Sequence, residues 1–468
     1  MPEWIMFNSV EFDPFVKGGA YVAATGYKSG DYRPYLYKTK DYGKTWTKIV
    51  DGIDPAHFTR VVRADPKRAG LLYAGTEFGM YISFDDGTSW KPFQLNLPIV
   101  PITDLTIKND NLIAATQGRS FWMIDDLTPL HQLNDAVTNS NVFLFKPMPS
   151  YRMNGGQAGR RGQPKTEGIN HPNGVTIHYY LKDTVKAVAS IEILESNGTL
   201  IKKFATKPDK KVKEEQLQIK PGMNKFNWNM RYADAEGFDG LIMWAGSLTG
   251  PKAIPGVYKA RLTVNGATTE TEFEILKDPR TSSTVSDIKA QFDFSIGVRD
   301  KLSETNKAVK NIRSVREQIN RVTEPMKGKD DMKDVTEMAK SILDDMKKIE
   351  EALYQTKNKS GQDPLNYPVR LNNKLAALGS EVDGGDYPPT QQVKAVYNEV
   401  TEKINEQLNS LKKVMTDNVP KFNDLVKQKA SQRGNLGGDV VLKRIQGVKK
   451  GRLVLVSFFV STTDRLNY

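Results

Sequence analysis

Hydrophobic and polar residues follow two different periods along this chain of 468 residues. Up to about residue 280 the apolar positions alternate with polar ones or form short runs, a pattern typical of β-strands. Beyond that point they recur every three or four residues, as in amphipathic helices. The sequence therefore predicts a β-rich part followed by a helical part, and the length allows about three domains.

The first 137 residues are predicted to form three similar β-sheets. In each, a first strand is followed by a second strand of small residues, at 21–25, 71–76 and 112–116. Small side chains suit the tapered interior of a β-propeller, whose blades are sheets of this kind. Three blades are too few to close a ring, since propellers contain about four to eight. Residues 1–137 are thus predicted to be a partial β-propeller, either a fragment of a longer protein or an open stack.

A hairpin motif occurs twice in this region. Residues 39–46 and 83–90 share the pattern Ser/Thr-x-Asp-x-Gly-x-Thr/Ser-Trp, and a decayed third copy ends in Asp125 and Asp126. In such a hairpin the Asp accepts hydrogen bonds from backbone N–H groups, the Gly takes a positive φ, and the Trp covers the turn. The pattern resembles the Asp-box, or bacterial neuraminidase repeat, of sialidase-like and sortilin-type propellers. A structural role is expected for Asp41, Gly43, Trp46, Asp85, Gly87 and Trp90.

Residues 138–280 keep the β pattern without the repeat. Their short alternating strands predict an immunoglobulin-like β-sandwich. The phrases at 222–228 and 255–258 resemble the sandwich of flagellar hook-capping proteins. A Gly-rich basic loop opens this region, and its Arg160, Arg161 and Lys165 either grip an anion or belong to a solvated loop.

Residues 281–430 are predicted to form an antiparallel helical bundle. Apolar stripes at helical spacing run through 302–322, 335–353 and 393–411, with a shorter helix at 370–378. Thr284 and Asp287 predict a capping box at the start of the first helix. We expect the stripes to form the bundle core; a membrane-surface or partner-binding face is the alternative.

The last segment, 431–468, matches none of these patterns and is left as an unassigned basic and apolar tail. Its residues 431–438 are linker-like, and 453–460 form a bare apolar run too short to span a bilayer. This run is either a strand that needs a partner or a translated segment without a structural role. We expect it to lie outside the folded unit, so that removing 431–468 leaves thermal stability nearly unchanged and improves solubility.

Composition narrows the function classes. The net charge is +12, but +7 of it lies in 427–468, so the rest of the chain is too weakly basic for a nucleic-acid footprint. Cysteine is absent, which rules out disulfides and thiolate chemistry. The sequence contains no run of about 18 apolar residues, so no transmembrane helix is predicted. The first residues do not resemble a signal peptide.

Blades, sandwich and bundle in this order resemble the C-terminal half of large bacterial proteins known as BNR-repeat or sortilin-type glycosyl hydrolases. The matching phrases lie at 33–37, 65–75, 95–98, 125–129 and 370–375. The resemblance covers about residues 1–428 and implies upstream blades, a signal peptide and a periplasmic or extracellular location. One phrase departs from it: 117–122 begins with Gln-Gly-Arg-Ser, where members often have His-Gly-Arg-Gly.

Catalytic motifs are not recognisable. The four histidines lack metal-ligand spacing, no nucleophile elbow, P-loop or dinucleotide fingerprint occurs, and no cofactor or metal is expected. A glycosidase needs two carboxylates across a sugar site, and the sequence does not pair any two. We therefore expect no glycoside hydrolysis by this chain alone.

A binding site is predicted on the loops that join the second and third strands of each blade. These loops should cluster on one rim, and the candidate ligand-binding residues are Arg33, Glu77 and Arg119. The alternative is that Arg119 and Glu77 merely pair between blades. The predicted function is a non-catalytic glycan- or protein-binding scaffold. The runner-up is a glycoside hydrolase whose catalytic blades precede this chain, and the third hypothesis is an inactive, degenerate product.

Overall fold

The protein is a mixed β and α structure with several antiparallel sheets, seen here in a computed structural model that describes residues 1–153, 172–183, 188–209 and 214–434. The chain divides into two compact units. Of the described residues, the first unit comprises those within 1–230 and 254–280, and the second comprises 231–253 and 281–434.

Three antiparallel sheets begin the first unit, and each is connected in simple up-and-down order. The first sheet contains β1 (Met6–Phe12), β2 (Ala20–Gly26), β3 (Asp31–Thr39) and β4 (Thr47–Lys48). The second contains β5 (Thr59–Ala64), β6 (Leu72–Thr76), β7 (Gly79–Ser83) and β8 (Lys91–Pro92). The third contains β9 (Ile102–Lys108), β10 (Asn111–Thr116) and β11 (Phe121–Ile124).

The second sheet packs between the other two. Every residue of β6 and β7 is buried, because alternate side chains point to opposite faces and both faces are covered. Leu72 and Ala74 join a core shared with the first sheet, whereas Leu71 and Tyr73 join one shared with the third. Gly75, which follows Ala74 on β6, lies where the strand approaches Ile102 of the third sheet closely. A Cβ there would lie 2.7 Å from Cγ2 of Ile102, so a larger residue would overpack the core.

Two short helices and two further sheets complete the first unit. The helices are α1 (Thr128–Gln132) and α2 (Asp135–Asn139). A three-stranded antiparallel sheet contains β12 (Val142–Leu144), β14 (Val175–Leu181) and β18 (Gly222–Trp228). A six-stranded sheet has the order β13 (Ser150–Tyr151), β20 (Ala267–Leu276), β19 (Gly256–Val264), β15 (Ala189–Glu195), β16 (Leu200–Ala205) and β17 (Glu215–Gln216).

Aromatic side chains join these two sheets. Trp228 of β18 is fully buried, and its ring centroid lies 6.0 Å from those of Tyr258 and Phe273 on the larger sheet. Phe204 and Phe226 make a second edge-to-face contact at 4.6 Å. Large rings bury much apolar surface, so this cluster supplies the core between the sheets.

The second unit consists of helices with one irregular segment. The helices are α3 (Val285–Thr323), α4 (Lys333–Leu353), α5 (Leu371–Val382), α6 (Gln391–Lys413) and α7 (Val419–Gly434), and a π-helical turn at Val414–Asn418 joins the last two. The predicted capping box is confirmed: the Thr284 hydroxyl accepts from the N–H of Asp287, whose carboxylate accepts from the N–H of Thr284. Among the described residues, no helix is long and apolar enough to cross a membrane.

The apolar stripes of α3 and α4 form the core of the second unit, as their spacing predicts. The third stripe is only partly buried: Val400, Ile404 and Leu411 are in the core, whereas Val396 is 44% exposed. Tyr397 packs against the core beside it, with its ring 5.1 Å from that of Phe294. Tyr397 thus makes the core contact that was expected of Val396.

Residues 231–253 group with the helices although they fall inside the range predicted for the sandwich. Hydrogen bonds explain the grouping. Asn373 of α5 bonds both the N–H and the carbonyl of Trp244, at 2.7 and 2.6 Å. The side chain of Asn306 donates to the carbonyl of Glu236 at 2.8 Å.

Several predictions concern residues outside the described ranges. The basic loop with Arg160, Arg161 and Lys165 lies there, and so does the apolar run at 453–460. The first four residues of the predicted linker at 431–438 are described, and they continue α7 as far as Gly434 instead of forming a linker.

Candidate binding site

The predicted loops lie at one end of the first three sheets. Since neighbouring antiparallel strands run in opposite directions, the β2–β3 and β6–β7 connections and the residues that enter β5 meet at this end. Direct contacts join them: the N–H of Glu77 donates to the carbonyl of Phe58 at 3.1 Å, and the rings of Tyr27 and Phe58 stack at 5.1 Å.

Five rings lie here in two groups, which we together call the aromatic rim (Tyr27, Tyr32, His57, Phe58 and Phe78). In the first group Phe58 is 6% exposed, and the ring centroids of Tyr32 and Phe58 lie 6.1 Å apart. His57 and Phe78 stack at 4.8 Å. Tyr32 and Phe78 remain 57% and 45% exposed, so two ring surfaces are presented to solvent.

Arg60 joins the aromatic rim to Glu77. Its Nε donates to Oε2 of Glu77 at 2.6 Å, and both side chains are one-quarter exposed. The guanidinium also lies 5.3 Å from the Phe58 ring centroid and 6.0 Å from that of Tyr27, within cation–π range. Glu77 thus pairs with Arg60 of β5, and among the described residues no ion pair joins it to Arg119, the partner that the alternative named.

Arg33 is held by its neighbour Asp31. Two guanidinium nitrogens donate to the carboxylate at 2.9 and 2.7 Å, and the Tyr35 hydroxyl donates to it at 2.5 Å. The Arg33 hydrogen bonds, followed by that of Tyr35, hold the pKa of Asp31 well below its usual range. Because the general acid of a glycosidase needs a raised pKa, Asp31 is suited to accepting hydrogen bonds rather than to donating a proton.

Arg119 is exposed on the β10–β11 loop. Its guanidinium donates to the carbonyl of Gly118 at 2.8 Å, and its own carbonyl accepts from the indole of Trp122. Within the described ranges, no hydrogen bond or ion pair joins any two of Arg33, Glu77 and Arg119. Each is anchored in a different sheet.

The opposite end of the sheets carries the two Asp-box hairpins, which have the same pattern of internal hydrogen bonds. Oδ1 of Asp41 accepts from the N–H of Thr45 at 2.9 Å, and Oδ1 of Asp85 accepts from the N–H of Ser89 at 2.9 Å. In each, the hydroxyl at the first motif position bonds both the carboxylate and the glycine N–H. Gly43 has φ +80° and Gly87 has φ +77°.

These bonds favour the ionised carboxylates. The Thr45 hydroxyl is the largest influence on Asp41 and, with the Thr45 N–H, lowers the pKa of that carboxyl to about 2. Burial acts to raise the pKa of Asp85, but hydrogen bonds from Ser89 and Ser83 outweigh it. Both carboxylates are engaged inside their own hairpins, which is the geometry of a structural motif.

The two motif tryptophans differ in burial. Trp90 is 3% exposed in the core between the first and second sheets, and its indole N–H donates to the carbonyl of Ile49 at 2.9 Å. Trp46 is partly exposed and packs against a small cluster on the other face of the first sheet.

Sequence reasoning missed Arg60 and the aromatic rim. Arg60 follows the buried Thr59 on β5, so its outward position could have been inferred from alternation. Its pairing with Glu77 could not have been inferred from the sequence. Across the described part of the chain, no cluster of three His, Asp or Glu side chains is placed to hold a metal ion.

No protein-family profile matches the chain, and no curated protein matches it. Solved structures give similarities of low score. One is YCF48 bound to D1 peptide, at 20% identity over 26% of this chain and 37% of that chain, with a TM-score of 0.20. Another is YCF48 from Cyanidioschyzon merolae, at 19% identity over 26% of this chain and 40% of that chain, also with a TM-score of 0.20.

A third similar structure is an ancestral GH74 enzyme. It is 14% identical over 43% of this chain and 38% of that chain, with a TM-score of 0.21. The chain thus spans about two fifths of the length of these three solved structures.

Proposed function

We propose that the chain is a non-catalytic binding module and that its ligand, a neutral glycan, docks on the aromatic rim. The observation that carries the proposal is the pair of exposed rings at the meeting point of three connections, with Tyr32 packed on the buried Phe58 and Phe78 stacked on His57. The face of a pyranose ring is lined by C–H groups and packs on such rings, and nearby polar groups fix its orientation.

The charges around the rim support a neutral ligand. Arg60 is paired with Glu77 and Arg33 with Asp31, so the four groups carry no net charge together. Their remaining hydrogen-bonding capacity suits hydroxyl groups, which both donate and accept. A protein ligand is the other class expected from the sequence, since exposed Tyr and Phe are also enriched at protein interfaces.

The architecture belongs to the same proposal. We interpret the first three sheets as partial propeller blades with Asp-boxes, the two following sheets as an immunoglobulin-like sandwich, and the helices as an antiparallel bundle. In this interpretation the module is part of an exported bacterial protein, and the blades present the rim while the Asp-box hairpins hold the opposite ends of the strands.

The test is calorimetric titration of the full chain with cello-, malto- and xylohexaose. Tyr32→Ala and Phe78→Ala should each weaken binding by about five- to thirtyfold, as expected for losing one ring contact of about 1–2 kcal/mol. Tyr387→Ala is the matched control, because this tyrosine of the second unit is also exposed, at 68%. Binding that survives both rim substitutions would refute the site.

Hydrolysis is measured in the same samples. We expect no release of shorter saccharides, since the lowered pKa of Asp31 does not suit the general-acid role and the Glu77 carboxylate is already paired with Arg60. Turnover that is lost in Glu77→Gln would overturn the non-catalytic assignment and favour the glycoside hydrolase. If none of the saccharides binds, the glycan proposal fails.

A further inference from the structure

A cavity of about 250 Å³ opens in the second unit, where the irregular segment 231–253 meets α3 and α5. Its floor is apolar and is made by the buried side chains of Ala235, Val298, Leu302 and Ala376. An apolar cavity of about 150 Å³ is large enough to hold benzene. The floor therefore has room for an aromatic ring or a short aliphatic chain.

The mouth of the cavity is polar. Its charged lining residues are Arg231, Arg299 and Asp383; Arg231 pairs with Asp383, and Arg299 pairs with Asp300, which lies outside the lining. The hydroxyls of Ser295 and Ser380 also line it. An apolar floor below a mouth that offers guanidinium and hydroxyl groups matches a molecule with an apolar body and one carboxylate, because hydrogen bonds from a guanidinium to a carboxylate are stronger than those between neutral groups.

Both arginines are held in position. Arg231 donates to the two carboxylate oxygens of Asp383 at 3.2 and 2.6 Å and to the carbonyl of Gly250 at 2.9 Å. Arg299 donates through Nε and one terminal nitrogen to Asp300 and through the other to the carbonyl of Ala233. Within the described part of the chain these bonds use three of the five N–H donors of Arg299.

Gly379 of α5 lines the same cavity. Glycine is unfavourable inside a helix, so its presence in α5 points to a packing reason. A Cβ at this position would lie 3.2 Å from Cγ1 of Val298, which is tighter than ordinary contact. The absent side chain lets α5 approach α3 and leaves the floor open beside Val298.

We propose that this cavity binds a small organic monocarboxylate. The apolar body lies on the floor, and the carboxylate accepts hydrogen bonds from the two N–H donors of Arg299 that are left after its bonds to Asp300 and to the carbonyl of Ala233. Arginine suits this task because its planar fork matches a carboxylate. The site lies in the second unit and does not depend on the glycan-binding proposal.

The probes are benzoate, hexanoate and two matched analogues, benzamide without charge and benzylamine with positive charge. Each is titrated into the full chain at pH 7 and low salt, by calorimetry and ligand-observed NMR. Concentrations extend to about 10 mM, where a ligand with a Kd near 1 mM is close to saturation. We expect saturable binding of both carboxylates, at least tenfold weaker binding of benzamide, and none of benzylamine.

Two variants test the location. Arg299→Gln should weaken benzoate binding at least tenfold, and its partner Asp300 is 60% exposed, so the carboxylate left behind is solvated. Ser295→Leu places a larger side chain at a half-buried helical position of the mouth without changing the charge. This variant should also weaken benzoate binding. Arg321→Gln is the matched control, since Arg321 lies on the same helix, pairs with Glu317 and is absent from the cavity lining.

Circular dichroism of each variant establishes that the fold is kept. The proposal is overturned if neither carboxylate binds saturably, if benzamide binds as tightly as benzoate, or if Arg299→Gln binds benzoate as tightly as Arg321→Gln. Should Arg299→Gln fail to fold, the Ser295→Leu result and the benzoate-to-benzamide ratio decide the question.

Discussion

Replacing each motif tryptophan by alanine separates the role of the hairpin from the role of sheet packing. Trp46 and Trp90 stand at the same position of the same motif, but only Trp90 is enclosed between two sheets. Its backbone N–H donates to the carbonyl of Asp51 at 2.8 Å, and its indole donates to Ile49. A side chain at Gly52 would collide with the Trp90 carbonyl, so the contact surface is tight.

The expected loss for Trp90→Ala is about 3–5 kcal/mol of unfolding free energy, the usual cost of removing a buried large aromatic. Trp46→Ala should cost roughly 1–3 kcal/mol, because the stabilisation scales with the apolar area removed from water. Trp90→Phe keeps most of the packing but leaves the Ile49 carbonyl without its donor, at a cost of about 1–3 kcal/mol.

Urea denaturation followed by far-ultraviolet circular dichroism measures these losses. The two compact units can unfold in separate transitions, so each transition is fitted by itself. Only the transition of the first unit should move. Equal losses for the two alanine variants, or a loss below about 1 kcal/mol for Trp90→Ala, would refute the packing of the second sheet on the first.

Other predictions address single contacts. Gly75→Ala should lower the unfolding free energy by about 1–3 kcal/mol through overpacking against Ile102, and denaturation of the first unit checks it. Glu350→Gln should cost about 1.5–3 kcal/mol in the second unit, because this buried carboxylate accepts from two arginines of α3, whereas the exposed Glu317→Gln should cost less than about 0.5 kcal/mol. The Asp41 carboxyl has a lowered pKa, so its stabilising contribution is present above the ordinary value of 3.8 and is lost as the pH falls towards about 2. The melting temperature of Asp41→Asn should therefore fall less than that of the wild type as the pH is lowered through this window.

The sequence predicted most of what depends on local pattern. Period-two alternation indicated the strands of the first three sheets, and the motif spacing indicated the two hairpins with their glycines. Thr284 and Asp287 indicated the start of α3 because a capping box involves residues only three positions apart. Such signals survive folding because the interacting groups are close along the chain.

Contacts between distant residues were not predictable in the same way. Tyr27 stacks on Phe58, and Arg60 selects Glu77 rather than a residue of another sheet. Residues 231–253 carry no helical period, yet hydrogen bonds to α3 and α5 tie them to the second unit. The partner in each case depends on how the elements pack, which the spacing of residues in one segment does not encode.

The two proposed sites differ in how they use charge. At the aromatic rim, Arg33 and Arg60 are each neutralised by a carboxylate, so the free energy of binding has to come from ring contact and hydrogen bonds. At the cavity mouth the arginines are paired too, but the proposed ligand carries a negative charge of its own, which the remaining donors of Arg299 bind beside an apolar floor. Salt screens the interaction of partly exposed charges but has little effect on contact with aromatic rings. Ionic strength therefore distinguishes the sites, because it weakens carboxylate binding in the second unit and leaves glycan binding at the rim nearly constant.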